Sequence, residues 1–290
     1  MKEQNKGALF AIASYISWGL LPIYWKLMQN VSSLEILAHR IIWSAVFTFI
    51  FCIIWKRHYL KKYFSNRRDL LRLSITGILV SANWGIYIYA VNANHILDAS
   101  LGYYINPIVS VLLGIIFLKE RLNKTQIIAF LITIAGVAYF TIDYGKFPWV
   151  AISLATTFGV YGLLKKKMNF DSMTALSIET MLALPLALIY MGYLVSSNSN
   201  VFMSGSSNIS TQLLLISTGV ITVLPLYWFG LATVRVPLYS IGFFQYIAPT
   251  LKLLIGIFIF DEAFTISHVI CFSAIWLALI LYIRDIIKNN

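Results

Sequence analysis

The sequence predicts an all-α integral membrane protein of ten transmembrane helices, arranged as two inverted five-helix repeats. Three observations carry this. The 290 residues are 59% hydrophobic and only 11% charged, where soluble domains carry roughly 25% charge. The apolar residues gather into ten runs of membrane-crossing length. A proline–glycine–glutamate pattern in the fourth run returns in the ninth.

A mean hydropathy of +0.79 is more apolar surface than a water-soluble chain of this length can hide, and hydrocarbon is the solvent that accepts it. Crossing ~30 Å of hydrocarbon takes about 20 helical residues. The runs are 7–26, 34–55, 70–92, 98–118, 125–142, 148–164, 175–195, 211–232, 239–260 and 266–286. The polar turn Asp143-Tyr144-Gly145-Lys146 separates the fifth from the sixth, so these read as two spans. Each run is too long for a barrel strand. The first run extends past the apolar core of a secretory leader and has no small-residue cleavage site after it, so it reads as a retained span.

The net charge of +11 would suggest nucleic acid in a soluble protein. Here the cations lie between the apolar runs, which makes them an orientation signal and excludes a nucleic-acid partner. One set of alternate loops and tails carries seventeen Lys and Arg residues, among them Lys56, Arg57, Lys61, Lys62, Lys119, Lys165, Lys166 and Arg235, while the other set carries Lys146. The basic set belongs in the cytoplasm together with both termini, and the uncharged segment 196–210 belongs outside. Cys52 and Cys271 lie inside apolar runs, so neither a disulfide framework nor a metal site follows. Walker A, HExxH and GxSxG patterns are absent, which leaves no cofactor and little support for an enzyme.

Residues 107–120 read PIVSVLLGIIFLKE and residues 249–262 read PTLKLLIGIFIFDE. Pro107, Gly114 and Glu120 match Pro249, Gly256 and Glu262 at one constant offset. Gly102 in SLGYY matches Gly242 in SIGFF just upstream, and Tyr15–Leu20 echoes Phe158–Leu163. The repeat unit is five spans, an odd number, so the second copy is inverted; the halves are 1–143 and 144–290. The prolines free a carbonyl one turn earlier, and Gly102, Gly114, Gly242 and Gly256 are expected at close helix contacts. Glu120 and Glu262 are expected to anchor loops.

Ionisable groups within spans are costly, about +2.5–3.5 kcal/mol at a helix centre, so each needs an account. Arg40 and Glu179 occupy equivalent helices of the two repeats and are expected either to pair or to face a central cavity. Lys252, near the middle of the ninth span, is expected on a substrate path, or else paired with a carbonyl or Glu179. Its counterpart is Ser110, so it breaks the repeat symmetry. Glu35 and His39 share a helix face; Glu35 is expected to be exposed, and His39 to be a hydrogen-bonded residue or a proton-coupling group. His95 and Asp98 mark the loop before the fourth span. Asn83, Trp84, Tyr87, Asn92, Tyr103, Tyr104, Asn106, Tyr161, Trp228, Gln245 and Tyr246 form a polar and aromatic set suited to stacking on a solute or hydrogen-bonding it.

Several stretches carry a family resemblance: Glu35 to Ser44, Asn83-Trp84, Ala99 to Pro107, Ile178 to Thr180 with Leu184-Pro185, and Gly242 to Thr250. With the five-plus-five layout they resemble RarD-type members of the EamA branch of the drug/metabolite transporter superfamily. The resemblance implies a bacterial inner-membrane exporter or permease, which reads as a secondary transporter that moves a small metabolite, amino-acid-like compound or drug by alternating access, with export as the leading direction and uptake as the alternative. The energy would come from a proton or other ion gradient or from the substrate's own gradient. The competing reading is an intramembrane lipid-modifying enzyme, with Glu179 and His39 as its nearest acid–base candidates.

Overall fold

The computed structural model describes residues 3–93, 95–203, 208–261 and 265–289. Glu262 and the side chains of Asn92 and Asp98 lie outside the described residues. Among the described residues there are twelve helices and no strand: α1 (Glu3–Lys26), α2 (Ser33–Trp55), α3 (Arg57–Ser65), α4 (Arg67–Asn92), α5 (Ile96–Leu118), α6 (Lys124–Asp143), α7 (Trp149–Met168), α8 (Ser172–Ser196), α9 (Ile209–Thr233), α10 (Leu238–Gln245), α11 (Ile247–Phe260) and α12 (Ile266–Asn289).

Among the described residues nine segments are long and apolar enough to cross a membrane: α1, α2, α4, α5, α6, α8, α9, α10 with α11, and α12. Their outer faces carry side chains that water would reject, such as Phe258, Ile189 and Leu186, each at least 70% exposed. The helix α7 falls outside that set because its last turn holds Lys165, Lys166 and Lys167. It nevertheless joins the two ends of the bundle. Trp149 at its start packs on Tyr89 and His95, and Lys166 at its end stands 3.9 Å from Glu120.

The bundle has a basic end and an opposite end. Contacts between non-adjacent segments fix the alternation: Lys56 with Asp171, Arg235 with Glu3, and Asn123 with Asp285 at the basic end; Ser267 with Asp143 and Lys26 over Phe260 at the other. Lys26 therefore adds a second cation to the end that Lys146 occupies.

Packing follows a rule when the long helices are counted in chain order with α10–α11 as one. The first packs on the eighth and ninth, and the sixth packs on the third and fourth. The second packs on the eighth, and the seventh on the third. The remaining large interfaces pair second with seventh, fourth with ninth, and fifth with tenth. A shift of five positions carries the whole set onto itself.

Two elements depart from the sequence expectation. The stretch between the second and third spans, read as a loop, holds α3, a nine-residue amphipathic helix. Leu60 and Tyr63 are buried while Lys61 and Lys62 stay exposed; apolar spacing of three over so short a run hides among six basic residues. The ninth span is not one helix. It breaks at Tyr246, between α10 and α11, because Pro249 has no N–H to return to the Gln245 carbonyl. Pro107 lies inside α5 without such a break.

The Pro-x6-Gly-x5-Glu element has a physical explanation. Lys119 and Asp261 each take a left-handed φ, 55° and 54°, and each donates its N–H to the carbonyl of the motif glycine, Gly114 or Gly256. The same helix stop thus recurs in both copies. Past the first stop, the Glu120 carboxylate accepts the N–H groups of Leu238 and Tyr239 at 2.8 and 2.9 Å, where the start of α10 has unsatisfied donors. A side chain on Gly114 would lie 2.5 Å from the Glu120 carboxylate and 3.2 Å from the Tyr239 nitrogen. The expected anchoring role of Glu120 is thereby given a partner. At Gly242, a Cβ would sit 2.8 Å from the Pro107 carbonyl oxygen, so glycine sets the closeness of α10 to α5. Gly102 lies against Ala151 of α7, and Gly256 is buried in α11.

Candidate functional site: two cations among aromatic rings

Arg40 is two turns into α2 from the opposite end, and Lys252 lies midway along α11. The Arg40 guanidinium is 5.1 Å from the Trp25 ring centroid and 5.5 Å from that of Trp84. Its Nε donates to Thr222 Oγ1 at 3.1 Å. The Lys252 ammonium stands 3.3 Å above the Tyr103 ring. Tyr87 packs 6.5 Å from Tyr103 and lies within electrostatic reach of both cations. Ring faces attract cations, so Trp25, Trp84 and Tyr103 hold the charges in place without neutralising them. Among the described residues no carboxylate pairs with Arg40 or Lys252. Arg40, Trp25, Trp84, Tyr87, Tyr103 and Lys252 are all half-buried, so each keeps some accessible surface. Asn106, one turn beyond Tyr103 on the same face of α5, has a buried Oδ1 without a hydrogen-bond partner.

Glu179 is elsewhere. It is fully buried toward the basic end. Its Oε1 accepts from Thr76 at 2.6 Å and Lys165 at 3.0 Å, and its Oε2 accepts from Tyr161 at 3.1 Å and Lys165 at 3.2 Å. The expected pairing of Arg40 with Glu179 is therefore wrong, as is that of Lys252 with Glu179. Helix direction is the reason. Each residue lies seven positions from the start of its helix, but α2 starts at the opposite end and α8 at the basic end. At 1.5 Å per residue the two differ in depth by roughly 13 Å, beyond the reach of one side chain.

An aromatic plug lies beside this ion pair. Tyr161 stacks on Phe229 at 6.0 Å, and Trp18, Phe158 and Tyr15 close around Phe229. The two stretches that echo each other in the repeats, Tyr15–Leu20 and Phe158–Leu163, meet here. Lys166 donates to the carbonyls of Thr233 and Val236, and Lys56 to Asp171, so the basic end is tied shut.

The remaining candidates separate by role. Asn83 donates to the Leu154 carbonyl and to Thr157, both at 2.9 Å, and ties α4 to α7. Tyr246, at the helix break, donates across to the Tyr104 carbonyl at 3.1 Å. Gln245 is buried near Tyr15 with its Oε1 unpartnered. His39 is buried: its Nδ1 accepts from Trp43 at 3.2 Å, its ring packs 4.8 Å from Phe202, and its Nε2 has no partner. Glu35, expected to be exposed, is buried instead, because it accepts the N–H groups of Val201 and Phe202 at 2.9 and 3.2 Å. Glu179 and His39 stand in different halves of the bundle and form no acid–base pair.

Known proteins can be set against this geometry. The EamA-like transporter family matches residues 5–142. The uncharacterized transporter YojE of Bacillus subtilis is 47% identical over 99% of this chain and 96% of its own. An uncharacterized transporter of Vibrio cholerae is 43% identical over 99% and 95%, and protein RarD of Escherichia coli is 39% identical over 100% and 97%. The chain is a RarD-type member of the EamA family. A crystal structure at 15% identity superposes over 95% of this chain and 96% of its own with a TM-score of 0.71, a likeness of fold. The family is one of membrane transporters, and the apolar helices make this member a multi-pass membrane protein.

Within this RarD-type chain, sequence reasoning overlooked Lys165, Trp25, Thr76 and Thr222. Lys165 was counted only as an orientation charge. Its signal was its spacing, one helical turn from Tyr161, which places both on the face that meets Glu179. Trp25, at the end of the first span, looks like an interfacial anchor until α2 brings Arg40 beneath it.

Proposed function

We propose that this protein is a bacterial inner-membrane secondary transporter that carries a small metabolite by alternating access between two inverted halves, 1–143 and 144–290, with both termini cytoplasmic and export as its direction. The reading rests on one observation: the helix interfaces map onto themselves under a shift of five helices. Ten crossings, α7 included, follow from that shift and from the end-to-end course of α7. An odd repeat inverts its second copy, so two conformations open to opposite sides can lie close in energy. The conformation described here suits one of them. The basic end is tied by Lys165–Glu179 and the aromatic plug, while Arg40 and Lys252 keep accessible surface in the other half. Lys and Arg concentrate at the basic end, which the positive-inside rule assigns to the cytoplasm. The stretch that the family matches, residues 5–142, supports placing the end of a first repeat near 143.

Substrate counterflow in proteoliposomes is the test. Loading vesicles with unlabelled solute should drive uptake of the labelled form only where the protein is present. A panel of small metabolites that moves no faster than through empty vesicles refutes transport. Addition of an ionophore to the same vesicles reports whether a proton or another ion is coupled.

A further inference from the structure

We infer that the substrate of this transporter is an organic anion carrying carboxylate or phosphate oxygens, bound between Arg40 and Lys252. The inference rests on the transport reading and narrows it to a substrate class. Two half-buried cations lie near the same pair of tyrosines, Tyr87 and Tyr103. Neither has a carboxylate partner among the described residues. The buried acids are engaged elsewhere: Glu35, on the same helix as Arg40, accepts the N–H groups of Val201 and Phe202, and Glu179 is committed to Lys165 at the other end. Intramembrane cations are usually paired with each other's opposites or with carbonyls; these two rest on ring faces and on one threonine hydroxyl.

The donors are arranged for an oxyanion. The Nε of Arg40 is spent on Thr222, which fixes the guanidinium plane and leaves both terminal nitrogens available for a two-pronged contact. Lys252 adds a point charge, held over Tyr103 rather than satisfied by it. A zwitterion would bring an ammonium into the field of two positive charges, and a neutral drug would leave both charges uncompensated. An acid without an ammonium group cancels them. The free Oδ1 of Asn106 then offers an acceptor to a hydroxyl or amide N–H elsewhere on the same solute. The internal repeat agrees: Lys252 replaces what is Ser110 in the other copy, so the charge belongs to the cargo rather than to the shared scaffold.

The test uses the full chain purified into nanodiscs and proteoliposomes. The probes are succinate, benzoate and glycerol 3-phosphate as anions, phenylalanine as zwitterion, chloramphenicol as neutral compound and tetraphenylphosphonium as cation. Binding is read from tryptophan fluorescence, since Trp25 and Trp84 flank Arg40, and transport from counterflow. At least one anion should bind and exchange. Arg40→Gln and Lys252→Met should each weaken its binding at least tenfold, while Arg40→Lys and Lys252→Arg, which keep the charge, should retain more of it and show that loss is not misfolding. Preference between the dicarboxylate and the phosphate ester identifies the oxyanion. Exchange of phenylalanine, chloramphenicol or tetraphenylphosphonium with no anion bound overturns the anion inference and leaves transport standing. Anion binding without counterflow of any probe upholds the site and overturns the transport reading.

Discussion

Replacing Lys165 by methionine deletes a charge, keeps the side-chain length, and strands Glu179. The wild-type pair has side-chain exposures of 6% and 0%, so almost no water is available to take over. Thr76 and Tyr161 would still donate to the carboxylate, but no counter-charge would remain. Removing one member of a buried pair costs about 3–5 kcal/mol. The reverse change, Glu179→Gln, should cost less, about 1–2 kcal/mol. Lys165 sits in the last turn of α7 and its ammonium can swing to the interface, whereas Glu179 lies two turns inside α8. The double variant Lys165→Met with Glu179→Gln should therefore be more stable than Lys165→Met alone. Equilibrium unfolding in mixed micelles with increasing SDS, followed by far-ultraviolet circular dichroism, measures all four corners of this cycle. A Lys165→Met protein as stable as wild type, or a double variant whose cost equals the sum of the singles, would refute the claim that this pair closes the basic end.

Three further outcomes follow from other contacts. Glu120→Ala removes two charge-assisted bonds from the start of α10 and should cost about 2–4 kcal/mol in the same unfolding assay, at about 1.5–3 kcal/mol for each bond to a charged group less the relief offered by water at a helix end; Gly114→Ala should act in the same direction, because its Cβ displaces that carboxylate. Asn83→Ala should cost only about 0.6–1.7 kcal/mol, the measured scale for interhelical hydrogen bonds in membranes, and a loss above about 3 kcal/mol would show that Asn83 does more than tie α4 to α7. At the surface of the basic end, burial alone would raise the Asp171 carboxyl, but the Thr174 hydroxyl and Lys56 outweigh it and hold it below its ordinary 3.8. A depressed acid contributes its stability above the ordinary value and loses it as pH falls toward the folded one. Stability should thus fall on acidification below about pH 4, and Asp171→Asn, followed by the same unfolding assay at pH 7 and pH 3, should flatten that slope.

The sequence by itself determined the solvent and proposed the direction of the helices and the repeat. Those depend on run length, on where Lys and Arg fall, and on one motif, Pro-x6-Gly-x5-Glu, all of which are local in the chain. It also nominated Arg40, Lys252, Trp84 and Tyr103, because a charge or a polar ring inside an apolar run announces itself wherever the run goes. Their partners could not be read this way. Glu179 found Lys165, counted as a loop cation, and Glu35 found the backbone of Val201 and Phe202, because partners are chosen by depth and by which helix lies alongside, and neither is written in any single segment. Only the packed bundle separated Arg40 from Glu179, drew Arg40 and Lys252 around one pair of tyrosines, and turned a proline at 249 into a broken helix while leaving the one at 107 inside a continuous helix.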